Sequence, residues 1–300
     1  MKIRYLKQQA IDKEKWDETM LNATNGLVYG LSDYLDIAAP DWDALISPDY
    51  EYILPLPKKK KYGLPYIPKI MYIQKFSIFS KQPVNAEIVA AFLKAVPAKF
   101  LKVNLNLALD FTPDEQSFKY SFLNTQKLSL NNNYENLYEN FSKSHRKNIR
   151  KALKKGIEIK VHEQTEDVVK MQTKVFERRN IYAESKALER LSELLKSSQN
   201  SNRPKVYSAY SEGKLCAAAY FMKFGKRFII FSGTNEQGRK AQAGFLIINQ
   251  FIKEHAATDS ILDFAGSDIK GVAHRNLGFG AQNYSYISAK RIFKIFKFLK

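Results

Sequence analysis

The sequence predicts a mixed α/β fold of the α+β kind, a mixed sheet covered by helices, built as two domains in tandem. Three observations lead there. At 300 residues the chain is longer than one hydrophobic core usually fills, since domains cluster near about 100 to 150 residues. Its second half contains extended segments joined by Ser211-Glu212-Gly213-Lys214 and Gly225-Lys226, the turn chemistry of an antiparallel meander, followed by helix, strand, helix and strand. Its first half reads in a similar order, helix, helix, meander, helix, strand, strand, as a tandem duplication would, although no residue-level repeat is visible.

Taken in order, Asp12 to Thr24 has helical periodicity, Gly26 to Tyr29 is extended, and Ser32 or Asp33 caps a short helix carrying Tyr34 and Leu35. Tyr50 to Pro57 reads as a strand, and Lys58 to Gly63 as a solvated turn. Val84 to Lys99 is an amphipathic helix. In Leu101 to Leu109 the apolar Val103, Leu105, Leu107 and Leu109 alternate with polar residues, the period of a half-buried strand, and a further strand is expected over Phe118 to Leu130. The polar Asn131-Asn132-Asn133 then marks a boundary between domains at 1–132 and 133–300.

Beyond it, Tyr134 to Lys155 reads as one long helix with Leu137, Phe141, Ile149 and Leu153 on its apolar side, a very basic opposite face, and Gly156 as its C-terminal cap. A strand over Ile157 to Val161 and helices over Glu166 to Arg179 and Glu184 to Ser197 follow. The meander comprises Pro204 to Tyr210, Leu215 to Lys223 and Arg227 to Phe231. Ala243 to His255 is apolar nearly all round and should be buried against a sheet. A strand at Ile261 to Phe264, a helix from near Asp268 and a strand at Tyr284 to Ile287 complete the order.

Apolar residues at 45% and charged residues at 26% exclude a mostly disordered chain. Met1 to Lys7 leads into no apolar segment, and no run reaches the about 18 residues of a membrane span, so a cytoplasmic location is expected. Cys216 is the only cysteine, which excludes an internal disulfide and a thiolate metal site, and His145, His162, His255 and His274 have no ligand spacing. No metal is therefore expected. The net charge of +18 suits a polyanionic partner such as a nucleotide cofactor, RNA or acidic lipid; it equally suits a basic surface without a ligand.

Ser232-Gly233-Thr234 and the run to Gly244 lead from the end of a buried strand into a buried helix. Exposed N–H groups, the helix dipole and small residues there favour a phosphate, while a plain connecting loop is the alternative. The segment resembles the cofactor motif of the GNAT acetyltransferases, with Arg239 and Gly244 in matching positions and Gln242 where the motif's first glycine belongs. Ser144-His145-Arg146-Lys147-Asn148-Ile149-Arg150 through Gly156 is similar to the arginine-rich helix that opens the second domain of Fem-type aminoacyltransferases. Asp263-Phe264-Ala265-Gly266-Ser267 and Phe279-Gly280-Ala281 resemble the signatures near their C-terminus. Where those enzymes carry a Phe-Lys pair, Arg275 and Asn276 stand here.

The resemblance implies a bacterial transferase with tandem GNAT-like domains. It would move an acyl group from acyl-CoA to an amine acceptor by direct attack, in the manner of an N-acetyltransferase. The alternatives are transfer RNA-dependent aminoacyl transfer to a peptidoglycan precursor and a non-catalytic binding protein on the same scaffold. The donor edge falls at Phe231, Ser232 and Gly233, where a backbone N–H would stabilise the oxyanion, and the diphosphate lies over Arg239, Lys240, Ala241, Gln242, Ala243 and Gly244. Glu236, Asp263 and Asp268 are candidate bases, against plain solvated or capping roles. Tyr284 and Tyr286 are candidate acids, against core packing. Arg146, Lys147, Arg150 and Arg275 are candidate contacts for the phosphates of a transfer RNA or a nucleotide-linked precursor. The C-terminal Lys290 to Lys300 mixes cations with large apolar groups at helical spacing, which suits docking on the protein body better than a membrane surface.

Overall fold

The computed structural model describes residues 1–181, 186–197, 205–265 and 270–293. Contacts divide the chain into two compact units, one made of Met1–Asn124 with the segment that begins at Ser285, the other of Thr125–Tyr284.

In the first unit, β1 (Arg4–Lys7), α1 (Lys13–Asn22), α2 (Ser32–Ala38), β2 (Trp42–Ile46) and β3 (Ile53–Pro57) come first. The strands pair antiparallel in the order β1-β2-β3. Trp16 and Trp42 lie together at 5.0 Å in the core beneath them, and Trp16 Nε1 donates to the Gly30 carbonyl at 2.7 Å. Asp43 is buried on β2 and takes the Tyr5 hydroxyl and the Lys58 ammonium. Then come β4 (Lys59–Lys61), β5 (Leu64–Tyr66), α3 (Ala86–Lys94) and β6 (Lys102–Leu107). The burial of β6 alternates through Val103, Leu105 and Leu107, as its sequence period requires.

The second unit carries the rest: the end of β7 (Lys119–Ser129), α4 (Tyr134–Glu139), α5 (Lys143–Lys154), β8 (Glu158–His162), α6 (Glu166–Arg179), α7 (Ala187–Ser197), β9 (Val206–Ser211), β10 (Lys214–Phe224), β11 (Arg227–Thr234), α8 (Glu236–Ala241), α9 (Ala243–His255), β12 (Ile261–Asp263) and α10 (Lys270–Leu277). Its strands lie in the order β7-β12-β11-β10-β9-β8, with β11 and β12 parallel and the other pairs antiparallel. The strand β13 (Gln282–Ile292) begins here and continues into the first unit, where Ile287 to Ile292 pair with β6.

Successive residues of β11 point to opposite faces, and two helices use them. Phe228 meets Phe251 of α9 edge-on at 5.1 Å, and Phe251 stacks on Phe221 at 3.6 Å. On the other face Gly233 lies against the backbone of α6, so close that a β-carbon would sit 2.5 Å from the Met171 carbonyl oxygen. The helix α9 is buried as expected, through Leu246, Ile247, Ile248, Phe251 and Ile252.

The structure corrects several sequence expectations. Tyr134 to Lys155 is two helices, because the Ser142 side chain caps the second by accepting the His145 N–H at 3.2 Å. The lysine-rich Lys58 to Gly63 is not simply a turn: β4 and β5 form a hairpin across Tyr62 and Gly63, both at positive φ. Gly26 to Tyr29 leads into a 3-10 turn at Val28–Gly30 rather than a strand. Tyr50 belongs to another such turn, Pro48–Tyr50. β1 and β2 were not expected; β2 is buried at every position and so lacks the alternation that marks a strand. Lys290 to Ile292 is strand rather than helix, and 294–300 lies outside the described residues, as do Asp268, Gly266 and Ser267. No helix of the described residues is long and apolar enough to cross a membrane.

Candidate functional site

The strand β11 is paired on both sides only at its start. β12 runs beside it from Arg227, opposite Ile261, to Ile229, opposite Asp263, and then ends. β10 continues alongside as far as Thr234. From Ile230 onward no described residue pairs with the edge that faced β12.

Which groups point into the opening follows from the ladder. The Ile261 N–H donates to the Lys226 carbonyl at 2.8 Å, and in a parallel pair alternate residues turn both backbone groups to the same neighbour. Phe228, Ile230, Ser232 and Thr234 therefore face the open side. Two side chains of α6 agree: Gln172 Nε2 donates to the Ser232 carbonyl at 2.7 Å, and Arg178 Nη1 to the Thr234 carbonyl at 3.4 Å. With those carbonyls occupied, the Ser232 N–H is, among the described residues, the donor left at the middle of the edge. Of the three residues assigned to it, Ser232 supplies the polar atoms, Phe231 is buried with its backbone toward β10, and Gly233 admits α6.

The segment after the strand is not a simple loop. Asn235 caps α8 by accepting the Gly238 N–H at 2.9 Å, and α8 carries Glu236, Arg239, Lys240 and Ala241. Gln242 ends α8 and starts α9 in the left-handed region, φ 65° and ψ 24°. Glycine enters that region at no steric cost, which is the physical reason for a glycine at this place in the motif. The Gln242 side chain folds back, Nε2 donating to the Arg239 carbonyl at 3.0 Å. α9 has no side-chain cap, and a β-carbon on Gly244 would meet nothing within 4 Å. Ala243, fully buried, and Gly244, beside open space, thus begin a 13-residue helix, and it is at Gly244 that its first turn could meet an anion.

The candidate acids and bases are placed differently. Glu236 is fully exposed and ion-paired with Lys240 at 2.8 Å, which together with Arg239 holds its carboxyl below the usual range. Asp263 is buried, 1% exposed, and accepts from Thr125 Oγ1 at 2.9 Å, Arg227 Nη1 at 3.0 Å and the Ala265 N–H at 3.0 Å. Opposite it on β7, Lys127 is pushed down by burial and by Arg227. Tyr284 is exposed, with Lys127 Nζ 4.3 Å from its ring centre. Tyr286 is buried in the first unit with Lys75 over its ring at 5.4 Å.

Of the basic residues, Arg146 closes α4 by donating Nη1 to the Glu139 carbonyl at 2.7 Å. Lys147 and Arg150 are exposed on α5 and have no carboxylate partner among the described residues. Arg275 is anchored on α10, Nε and Nη2 donating to Asn276 Oδ1 at 3.2 and 3.0 Å, while its carbonyl meets the buried His145 Nε2 at 2.7 Å. Burial lowers the His145 imidazole, which therefore donates through Nε2 and accepts the Ser142 hydroxyl at Nδ1, 2.7 Å away. Gln172, Arg178 and Arg179 were not singled out from the sequence; two arginines in the last turn of a helix read as complements to its dipole.

The site is thus an edge beside a parallel neighbour that ends early, followed by a helix without a side-chain cap. Residues 140–273 match the family model of the acetyltransferase (GNAT) domain. This segment is a GNAT domain. Over 99% of both chains the structure resembles a FemX crystal structure, at 13% identity and a TM-score of 0.67. It also resembles L-PGS from Bacillus licheniformis (12% identity, TM-score 0.57, 96% of this chain and 95% of that one). A third similar structure is a tandem GNAT protein from the clavulanic acid biosynthesis pathway (11% identity, TM-score 0.55, 96% and 98%). At these identities the likeness concerns the fold, and the fold of the chain is the tandem GNAT one. No curated protein matches the chain. The GNAT domain includes the open edge, α8 and all of α9.

Proposed function

We propose that the protein is an N-acyltransferase that takes its acyl group from acyl-CoA at the open edge of β11. The observation that carries this reading is the combination of a Ser232 N–H that bonds to no described residue with an uncapped α9 whose first turn, at Gly244, has room for a phosphate. The folded-back Gln242 keeps its side chain off that N-terminus despite replacing the glycine. An acyl-CoA donor supplies an activated thioester carbonyl. The Ser232 N–H polarises that carbonyl and takes the negative charge that develops on its oxygen as the acceptor amine attacks; the C–N bond forms, the C–S bond breaks, and coenzyme A leaves as the thiol with the proton given up by the amine. Gly244 orients the diphosphate through its N–H group in the first turn of α9, and Arg239 adds charge beside it.

The edge is lined by donors, namely the Ser232 N–H, Gln172 and Arg178, while Asp263 is fully engaged by donors of its own. Among the described residues such a site polarises a carbonyl and positions a nucleophile and offers no unengaged carboxylate for the proton of the amine. The acceptor must then arrive as the free base, so the rate should rise with pH through the acceptor's own titration.

The test is a calorimetric titration of RNA-free protein with coenzyme A and acetyl-CoA, repeated in Gly244→Val and Arg239→Ala. Binding that falls at least about tenfold in both variants supports the site, since one charge-assisted phosphate contact is worth roughly that much. Absence of heat with either ligand rejects acyl-CoA as donor.

A second reading, aminoacyl transfer from transfer RNA, is favoured by one observation: Lys147, Arg150, Lys151 and Lys154 form an exposed stripe on α5 without a carboxylate partner among the described residues. Lys155 at the end of that helix reaches the Lys240 carbonyl at 3.3 Å, which places the stripe beside α8. A complex with charged transfer RNA that weakens steeply with salt, and survives loss of the α9 phosphate site, would favour it over acyl-CoA.

A further inference from the structure

Four segments of chain meet at one end of the first unit. Ile292 ends β13 opposite Lys102, the first residue of β6. Just beyond that pair the Phe293 N–H donates to the Leu101 carbonyl at 3.0 Å, and the Leu101 N–H to the Pro65 carbonyl at 3.3 Å. Pro65 of β5 lies opposite Lys60 of β4, and Leu64 opposite Lys61. Because Ile67 pairs parallel with Val103, β5 and β6 start at the same end, while β4 and β13 run the other way and finish there. The hairpin tip, Tyr62-Gly63, is at that end too.

This end is apolar and basic at once. Tyr62 is 76% exposed, Ile292 45% and Phe293 39%. Phe293 is held in place: the buried Arg291 donates Nη2 to the Val96 and Pro97 carbonyls at 3.0 and 2.9 Å, and its guanidinium lies 5.4 Å from the Phe293 ring. Lys60 and Lys61 are exposed on β4, as is Lys99 two residues before Leu101, its Nζ 5.4 Å from the ring of Phe100. Among the described residues none of the three has a carboxylate partner, and the acids at the base of the hairpin, Asp41 and Asp43, hold Lys58. From Phe293 the sequence continues as Lys294-Ile295-Phe296-Lys297-Phe298-Leu299-Lys300, which mixes the same two kinds of residue without an acid.

Large apolar groups left in water beside unneutralised ammonium groups match a surface that is itself apolar inside and anionic at its rim. A soluble polyanion would use the lysines and leave Ile292 wet. A bilayer takes both: aromatic and aliphatic groups enter the boundary between headgroups and acyl chains, and lysines stay with the anionic headgroups. Neither signal is enough alone, since stable attachment takes an apolar insertion together with a basic patch. We propose that this end of the first unit docks on the surface of an anionic lipid bilayer, with Tyr62, Ile292 and Phe293 entering the interface and Lys60, Lys61 and Lys99 meeting the headgroups. The acyl-donor site in the second unit is a separate matter, and either reading stands without the other.

The experiment sediments the full RNA-free chain with vesicles of phosphatidylcholine and with vesicles of equimolar phosphatidylcholine and phosphatidylglycerol. The parent should attach to the mixed vesicles and not to phosphatidylcholine alone. K60Q/K61Q should weaken attachment at least about tenfold, because each lysine at an anionic surface contributes about fivefold, and Y62S/F293S should weaken it as well. All four positions are on the surface, and thermal melts check that each variant folds. The helix α5 is also basic, so K147Q/R150Q is run beside them and should change attachment far less.

A second measurement does not depend on losing anything. In Tyr62→Trp the new indole should be quenched by brominated lipid in mixed vesicles, against a parent whose two tryptophans, Trp16 and Trp42, are fully buried. No attachment of the parent, or an unquenched indole on attached protein, overturns the proposal. So does attachment lost in K147Q/R150Q and kept in K60Q/K61Q, which would put the contact on α5. Attachment lost in K60Q/K61Q and unchanged in Y62S/F293S would make the surface one for a soluble polyanion and would equally remove the bilayer.

Discussion

The two ends of β11 use arginine in opposite ways. At its start the strand has neighbours on both sides, and Arg227 is spent on Asp263, a buried carboxylate that also takes Thr125 and a backbone N–H. At its finish one neighbour is gone, and Arg178 is tied to a backbone carbonyl, with no carboxylate bonded to it among the described residues. Charge is neutralised by a buried carboxylate where the sheet closes and meets only a neutral acceptor where it opens. An ion pair with three further or shared donors serves as a lock, whereas an exposed cation on a carbonyl is free to exchange its partner.

The comparison breaks first at Asp263. Asp263→Ala leaves Arg227 half-buried without its acid and should cost about 3 kcal/mol, read by chemical denaturation. A change within the noise would mean that the closed end is not a lock. Gly233→Ala drives a methyl into the α6 backbone, 2.5 Å from the Met171 oxygen, and should cost roughly 1–3 kcal/mol of stability while displacing Gln172 from Ser232. Its readouts are denaturation and donor affinity together.

Arg178→Gln is expected to do the reverse of Asp263→Ala, leaving the melting temperature level or slightly higher because it removes an exposed cation held only by a neutral acceptor. Lowering the pH tests the His145 prop under Arg275. His145 and His255 are both lowered by burial from the ordinary 6.5, so the unfolded chain binds protons that the native state refuses. Stability should be complete above about 6.5 and decline as the pH falls through the depressed native values. Melts in His145→Gln should show a shallower decline than the parent. The smallest effect belongs to Gly244→Ala, which gains up to about 1 kcal/mol of helix propensity and yet weakens donor binding; a gain in both would place the diphosphate elsewhere.

Much of the scaffold was legible because its period was. The alternation of β6, the all-round apolar α9 and the turns at Glu212-Gly213 and Gly225 are local signals that tertiary packing did not override. β2 was hidden because burial on both faces erases alternation, and the break at Ser142 because a single hydroxyl decides it. At the site, sequence located the strand-to-helix passage from Ser232 to Gly244, but not that Gln242 adopts the glycine conformation. Nor could it tell that Arg178, some fifty residues before Thr234, ends beside it. Asp263 was visible as an acidic residue at a strand end; its three donors come from separate segments, so its role as a lock was not.

β13 has a consequence for how the molecule is made. The GNAT-bearing unit, Thr125–Tyr284, is one uninterrupted stretch, while the first unit needs residues from Ser285 onward, six of which, Ile287 to Ile292, line β6. A ribosome delivers them only after the whole of the second unit. Domains usually fold in the order they emerge, but here the unit that emerges first is still missing the strand beside β6 when the second is complete. Until translation reaches Ile292, β6 is an unsheathed edge open to pairing with another nascent chain.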